Sequence, residues 1–115
     1  MPIVNFTKKM LIAQTFEECS TFWQQIRGMM FRERVVPLLF RFPNAQELSL
    51  HSWFCPDAID LVFLDESWTV VEVFSEWETR SSYKSSHPAM FLLELPAGTI
   101  ARTNTEVGDV VHITK

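Results

Sequence analysis

The chain has 115 residues, 47% of them apolar and 13% aromatic, and carries ten Lys or Arg against fourteen Asp or Glu for a net charge of −4. That is enough for one globular domain burying roughly two-thirds of its extended surface, with no disulfide or metal needed to fold. The acidic balance argues against sequence-independent binding to a phosphate backbone, which a strongly basic face normally serves, so no nucleic-acid partner is expected.

The elements follow in chain order. Pro2 to Phe6 and Met10 to Glu18 carry alternating or β-branched patterns that predict two strands joined at Thr7 to Lys9. Thr21 and Gln24 stand at capping-box spacing and Gly28 where a left-handed residue would end a helix, which predicts a short helix over Thr21 to Arg27. Pro37 to Phe42 and Leu48 to Phe54 read as strands around a turn at Pro43 and Asn44. Ile59 to Leu64 and Trp68 to Phe74 form the clearest hairpin, across Asp65-Glu66-Ser67. Ser75 to Ser86 is polar and aperiodic and reads as a long loop. Ala89 to Leu95 is a further strand, stopped by Pro96, with a helical turn around Ala97 to Arg102. Gly108-Asp109 turns the chain into a last strand, Val110 to Ile113. The expected class is α+β, mostly β: a small β-barrel-like domain or strongly curved sheet with two short helices.

Cys19 and Cys55 make no C-x-x-C pair and fit no zinc spacing, and they read as reduced thiols of a cytoplasmic protein. Met1 to Ala13 has Lys8 and Lys9 but no long apolar run, so neither a signal peptide nor a membrane span is expected. His51, His87 and His112 are isolated from one another, so no metal site is expected. Three glycines cannot supply a P-loop, a dinucleotide fingerprint or a G-x-S-x-G elbow, and no cofactor is expected.

Three constellations remain. Arg27, Arg32, Arg34 and Arg41 gather guanidinium forks suited to carboxylate or phosphate, and Arg27 and Arg32 are the candidates for an anion site. Asp60 and Glu94 are acids inside hydrophobic strand patterns, where a carboxylate must be bonded, paired, protonated or turned outward. An arginine from the 27–32 segment would pair with one of them and tie helix to sheet. His51, Trp53 and Cys55 would share one face of a strand, but His51 and Cys55 then lie roughly 13 Å apart, too far for a nucleophilic dyad. His51 acting with Asp60 or Glu94 stays open beside a packed structural histidine. Met29-Met30-Phe31 reads as core.

Arg27-Gly28-Met29-Met30-Phe31-Arg32, Leu50-His51-Ser52-Trp53-Phe54-Cys55, Ile59-Asp60-Leu61-Val62-Phe63-Leu64-Asp65, Leu93-Glu94-Leu95-Pro96-Ala97-Gly98 and Val107-Gly108-Asp109 together resemble the small prokaryotic "domain of unknown function 192", in particular its archaeal branch. The resemblance runs from about Leu11 to Ile113 and implies a compact β-barrel-like fold with no assigned activity. Asp60 and Glu94 fall on acids of that family's pattern. Cys55, Ala58 and Asn104 stand where the pattern has Met, Pro and Gly, and Pro56 is displaced; Asn104 tolerates the left-handed turn conformation.

The residues carry three readings. The first is a small soluble binding or interaction module, for a small anionic ligand or a protein, with a groove near Arg27 to Arg32, His51, Trp53 and the Glu94 strand. The second is an enzyme using Glu94 or Asp60 as acid or base with an arginine holding an anion. The third is an oligomer subunit presenting an aromatic face that includes Trp68 and Trp77.

Overall fold

A computed structural model describes residues 1–21, 28–30 and 32–114, and within them the chain runs through ten strands and one helix. The strands are β1 Ile3–Asn5, β2 Met10–Ala13, β3 Glu17–Cys19, β4 Leu38–Gln46, β5 Ser49–His51, β6 Ile59–Leu64, β7 Val70–Trp77, β8 Ser82–Lys84, β9 Ala89–Pro96 and β10 Val111–Ile113, with α1 at Thr99–Thr103 before β10. Apart from Thr21, the sequence-predicted helix over Thr21 to Arg27 lies outside the described residues. Gly28, at its proposed end, has φ 45, the left-handed conformation expected there.

The centre is a five-stranded sheet in the order β3-β4-β9-β6-β7, with β3 parallel to β4 and the other pairs antiparallel. Both faces of this sheet are covered. On one side Leu39, Val62, Leu64, Phe91, Leu93 and Leu95 pack with Ile3, Ile12 and Val111 of a three-stranded sheet, β10-β1-β2, and with Ile100 of α1. On the other, Leu38, Phe40, Leu61, Phe63 and Leu92 pack beneath Met29, Leu48, Cys55 and Tyr83. Double coverage explains why all six residues of β6 are buried and why its sequence shows almost no polar alternation. Each Leu or Phe so placed contributes on the order of 1.5 to 3 kcal/mol.

The expected barrel is not what these strands form. β3 and β7 end the central sheet without pairing to each other, and among the described residues the β10-β1-β2 sheet packs on its face, joined to the start of β7 by the isolated bridge Thr69↔Val110 and nearby backbone bonds. The arrangement is mostly β with three sheets.

Several boundaries also move. Met10 to Glu18 is two strands in different sheets, since β2 pairs with β1 and β3 with β4. Leu48 to Phe54 is a strand only as far as His51; Ser52 then turns the chain, its hydroxyl donating to the Glu78 carbonyl at 2.6 Å and accepting the Ser81 N–H at 2.9 Å. The same bonds shorten the predicted 75–86 loop, because β7 continues to Trp77 and β8 occupies Ser82–Lys84. Trp77 is buried rather than on an exposed aromatic face.

Helix α1 lacks a side-chain cap of its own, because Gly98 at φ 95 precedes it. Asp60 supplies the acceptor from β6: one carboxylate oxygen takes the Ile100 N–H at 2.7 Å and the other the Glu76 N–H at 2.8 Å, where β7 departs from regular pairing. Asn104 ends the helix at φ 54, in the left-handed conformation anticipated for it. Replacing Asp60 with Asn turns one of two acceptors into a donor facing an N–H. We expect a loss of about 1 to 3 kcal/mol in urea denaturation, and a variant as stable as the parent would refute this role.

Candidate functional site

Residues directly opposite in a sheet share a face, and neighbours along a strand alternate. Asp60 is opposite Leu95, and Leu61 is opposite Glu94, so the two acids emerge on opposite faces of the central sheet. Asp60 is spent on the helix and on β7. Glu94 lies between Leu38 and Leu61 on the face beneath the 28–36 and 48–55 segments, 7% exposed. No hydrogen bond to its carboxyl occurs among the described residues. Burial raises its pKa to about 7, against the smaller opposing pull of Arg32.

Arg32 therefore senses Glu94 without being bonded to it. Its guanidinium is forked onto Glu17, at 3.1 and 3.2 Å, and its Nε donates to the Gly28 carbonyl at 2.9 Å. Of the two arginines expected to pair with Asp60 or Glu94, Arg32 instead ties the front segment to the sheet through Glu17 on β3. Arg27 lies outside the described residues.

Cys19 and Cys55 border the same acid. Burial and then the Glu94 charge raise both thiols to about 11, so they stay protonated near neutrality and are poor nucleophiles. His51 is exposed on β5 rather than packed in the core, and Trp53 is 48% exposed on the turn that follows. Because β5 stops at His51, the shared face expected for His51, Trp53 and Cys55 does not form. The structure thus gathers Arg32, Glu94 and the two thiols, sets Asp60 behind the sheet and leaves His51 at the surface.

The DUF192 model, a family described as "Uncharacterized ACR", matches residues 4–113. The chain belongs to the DUF192 family. A UPF0127 protein of Pyrococcus furiosus is 32% identical over 111 residues, covering 93% of each chain. One from Thermococcus sibiricus is 31% identical over 112 residues, covering 95% of this chain and 72% of its own. Two solved structures share the fold. A Novosphingobium aromaticivorans protein of unknown function superposes with TM-score 0.86 at 19% identity, covering 98% of this chain and 84% of that one. A Sinorhizobium meliloti protein provisionally described as a transcription regulator gives 0.85 at 21%, covering 96% and 89%.

Two polar clusters in this DUF192 chain escaped the sequence reading. Glu72, an acid within the apolar run of β7, accepts the Tyr83 hydroxyl, the Ser86 and His87 N–H groups at 2.8 and 3.1 Å, and lies 3.1 Å from His87 Nδ1. Burial pushes the Glu72 carboxyl upward, but these donors outweigh it and leave the pKa below the usual range; the Tyr83 hydroxyl, buried against that carboxylate, rises to about 12. Glu72 carries the same signal that singled out Asp60 and Glu94, a charge inside a hydrophobic strand. Asp109 accepts from Asn5 at 2.9 Å, Lys8 at 3.0 Å and the Glu106 N–H at 3.1 Å. There too burial raises the carboxyl and the donors more than offset it. Partners about a hundred residues apart leave no local pattern to read.

Glu94 fixes a pH dependence. Unfolded, it ionises near 4.5; folded, it holds its proton to about 7. Folding is therefore least penalised below pH 4.5 and loses stability, on the order of 3 kcal/mol, as pH rises through 7. We expect Glu94→Gln to flatten urea-derived stability between about pH 5 and about pH 8 and to be at least as stable as the parent at the upper end. A glutamine variant weaker at the alkaline end would mean that the carboxylate is a structural partner.

Proposed function

We propose that the protein is a small binding module of the cytoplasm, forming one folding unit, whose site is the sheet face around Glu94 and Arg32 with Trp53 on the neighbouring turn. The observation that carries this is the Glu94 carboxyl, set between Leu38 and Leu61 and raised by burial to about 7. A carboxyl in largely apolar surroundings is favoured by any hydrogen bond or proton donated to it, and a ligand that supplies one gains on binding. The residues shift the expected ligand chemistry. Arg32 is committed to Glu17, and a free anion would have to displace that carboxylate. Glu94 instead asks for a donor, so the ligand is a small molecule or chain segment with an amide, hydroxyl or ammonium group, and an anionic group would be secondary.

The cytoplasmic assignment is supported by Cys19 and Cys55, which are not joined in a disulfide. No helix among the described residues is long and apolar enough to cross a membrane. The acidic net charge favours a small-molecule or protein ligand over nucleic acid.

A second reading shares the site. A carboxyl that titrates near 7 is poised for general acid–base work, so an enzyme with Glu94 as the proton-transferring group stands beside the binding module. Asp60 has no part in it, since both its oxygens are occupied by backbone donors.

A thermal-shift panel of small amides, amines, sugars and nucleotides, run at about pH 6 and about pH 8 on the parent, Glu94→Gln and Arg32→Ala proteins, tests the proposal. The expected result is stabilisation by at least one donor compound that is lost in the Gln variant and differs between the two pH values. Stabilisation that persists in Glu94→Gln, or a panel with no stabilising donor, would overturn it.

A further inference from the structure

We infer that one end of the central sheet carries a cleft for a small diamino monocarboxylic acid, of the lysine or ornithine kind, held by Arg34, Asp57 and Glu33 and separate from the Glu94 carboxyl. β4 and β6 both run antiparallel to β9, so their starts lie beside its end, with Leu38 opposite Glu94 and Ile59 opposite Pro96. Three connections meet the sheet there: residues 33–35 ahead of β4, 56–58 ahead of β6 and 96–97 at the close of β9. They part around a cleft of about 320 Å³, at the small end of the roughly 300 to 1,000 Å³ that ligand pockets span. Glu94 does not line it.

The charges around this cleft are opposite in sign and yet unpaired. Glu33 and Arg34 come from one connection and Asp57 from another, all three exposed. Among the described residues none of them forms an ion pair, whereas Arg32, Arg41, Lys8 and Lys84 each have one. The Asp57 carboxylate accepts the adjacent Ala58 N–H at 2.8 Å through one oxygen, and its other oxygen has no hydrogen-bond donor among the described residues. Val35, Ala58 and the two prolines supply the apolar part of the lining. Pro56 and Pro96 fix φ in two of the three connections, so less backbone freedom is lost when a ligand enters.

These groups set the charge of the ligand. The planar fork of Arg34 suits a carboxylate. Two carboxylates against one guanidinium leave the cleft at −1, in a chain of net charge −4, so a ligand with one ammonium and one carboxylate leaves an acid unanswered. A second ammonium balances it, with the ligand carboxylate on Arg34 and the ammonium groups on Asp57 and Glu33. A diamine leaves Arg34 facing like charge, and a dicarboxylate is repelled by both acids. Exposed contacts of this kind are individually weak, and binding comes from meeting three of them with one molecule.

The experiment titrates the ¹⁵N-labelled protein at low ionic strength, where surface charges are least screened, following backbone amide signals. The probes are L-lysine, cadaverine, which lacks the carboxylate, and L-norleucine, which lacks the side-chain ammonium. The expected result is saturable movement of residues 33–35, 57, 58 and 97 with lysine, and binding of each analogue weaker by about fivefold. Arg34→Gln abolishes the preference for lysine over cadaverine. Asp57→Asn, whose amide oxygen still accepts the Ala58 N–H, weakens lysine by about fivefold. Both side chains are exposed, so both variants keep the fold. No saturable movement, equal affinity for cadaverine in the parent, or a preference for lysine that survives Arg34→Gln would each overturn the inference. Lysine binding unchanged in Glu94→Gln is expected of a separate cleft; its loss there would assign the ligand to the Glu94 site and overturn the inference as well.

Discussion

The inner strands β6 and β9 are covered on both faces, and this places a demand on every polar group they carry. A charge on such a strand can be bonded to fixed donors, or it can be held near neutrality by raising its pKa. The structure uses both solutions on adjacent strands. Asp60 points toward the β10-β1-β2 side and receives two backbone N–H groups, from Ile100 and Glu76. Glu94, one pleat away on the partner strand, points to the other side and keeps its proton to about 7. The first acid holds irregular backbone in place. The second is held by burial beside the charge of Arg32, so two acids with the same sequence signal meet the same demand in different ways.

The periphery depends on the same principle applied to loops. Asp109 draws Asn5 and Lys8 against the final turn, and Thr105 completes the set through its bond from Asn5 at 3.0 Å. The first strand is thus fixed to the last by side chains as well as by the β1–β10 pairing. Glu72 does the equivalent for residues 86–87, and Ser52 for residues 78–81. Turns that read as long polar connections are therefore held by single buried groups reaching out from strands or neighbouring turns.

What was legible follows from this arrangement. β6 was visible to the residue because burial on both faces writes an apolar run from Ile59 to Leu64 broken only by Asp60. The helix before β10, the left-handed Asn104 and the positive φ of Gly28 were visible because glycine, proline and asparagine act locally. The family motifs marked Glu94 and Asp60 as a pair, but which face each occupies depends on register between β6 and β9, and register between distant strands is not written in either segment. The strand at 48–54 was overextended because Trp53 and Phe54 have high β-propensity, while Ser52 and a left-handed Phe54 at φ 66 turn the chain. The clusters around Asp109 and Glu72 are contacts across 104 and 15 positions, beyond any periodicity argument.

Strand β9 connects these observations. Phe91 faces the β10-β1-β2 side and stacks on Trp68, whereas Glu94, three residues on, faces the Arg32 side. Odd spacing on one strand places them on opposite surfaces of a sheet about one layer thick. Leu92 and Leu93, fully buried on alternate faces between them, leave no room for a polar path through the sheet. Communication between the two surfaces would have to travel through displacement of β9 itself. The antiparallel partners β4 and β6 grip that strand from both edges, through pairs running from Arg41↔Phe91 to Ile59↔Pro96. A strand held in this way resists small shifts, so substitutions on its two faces are expected to combine additively.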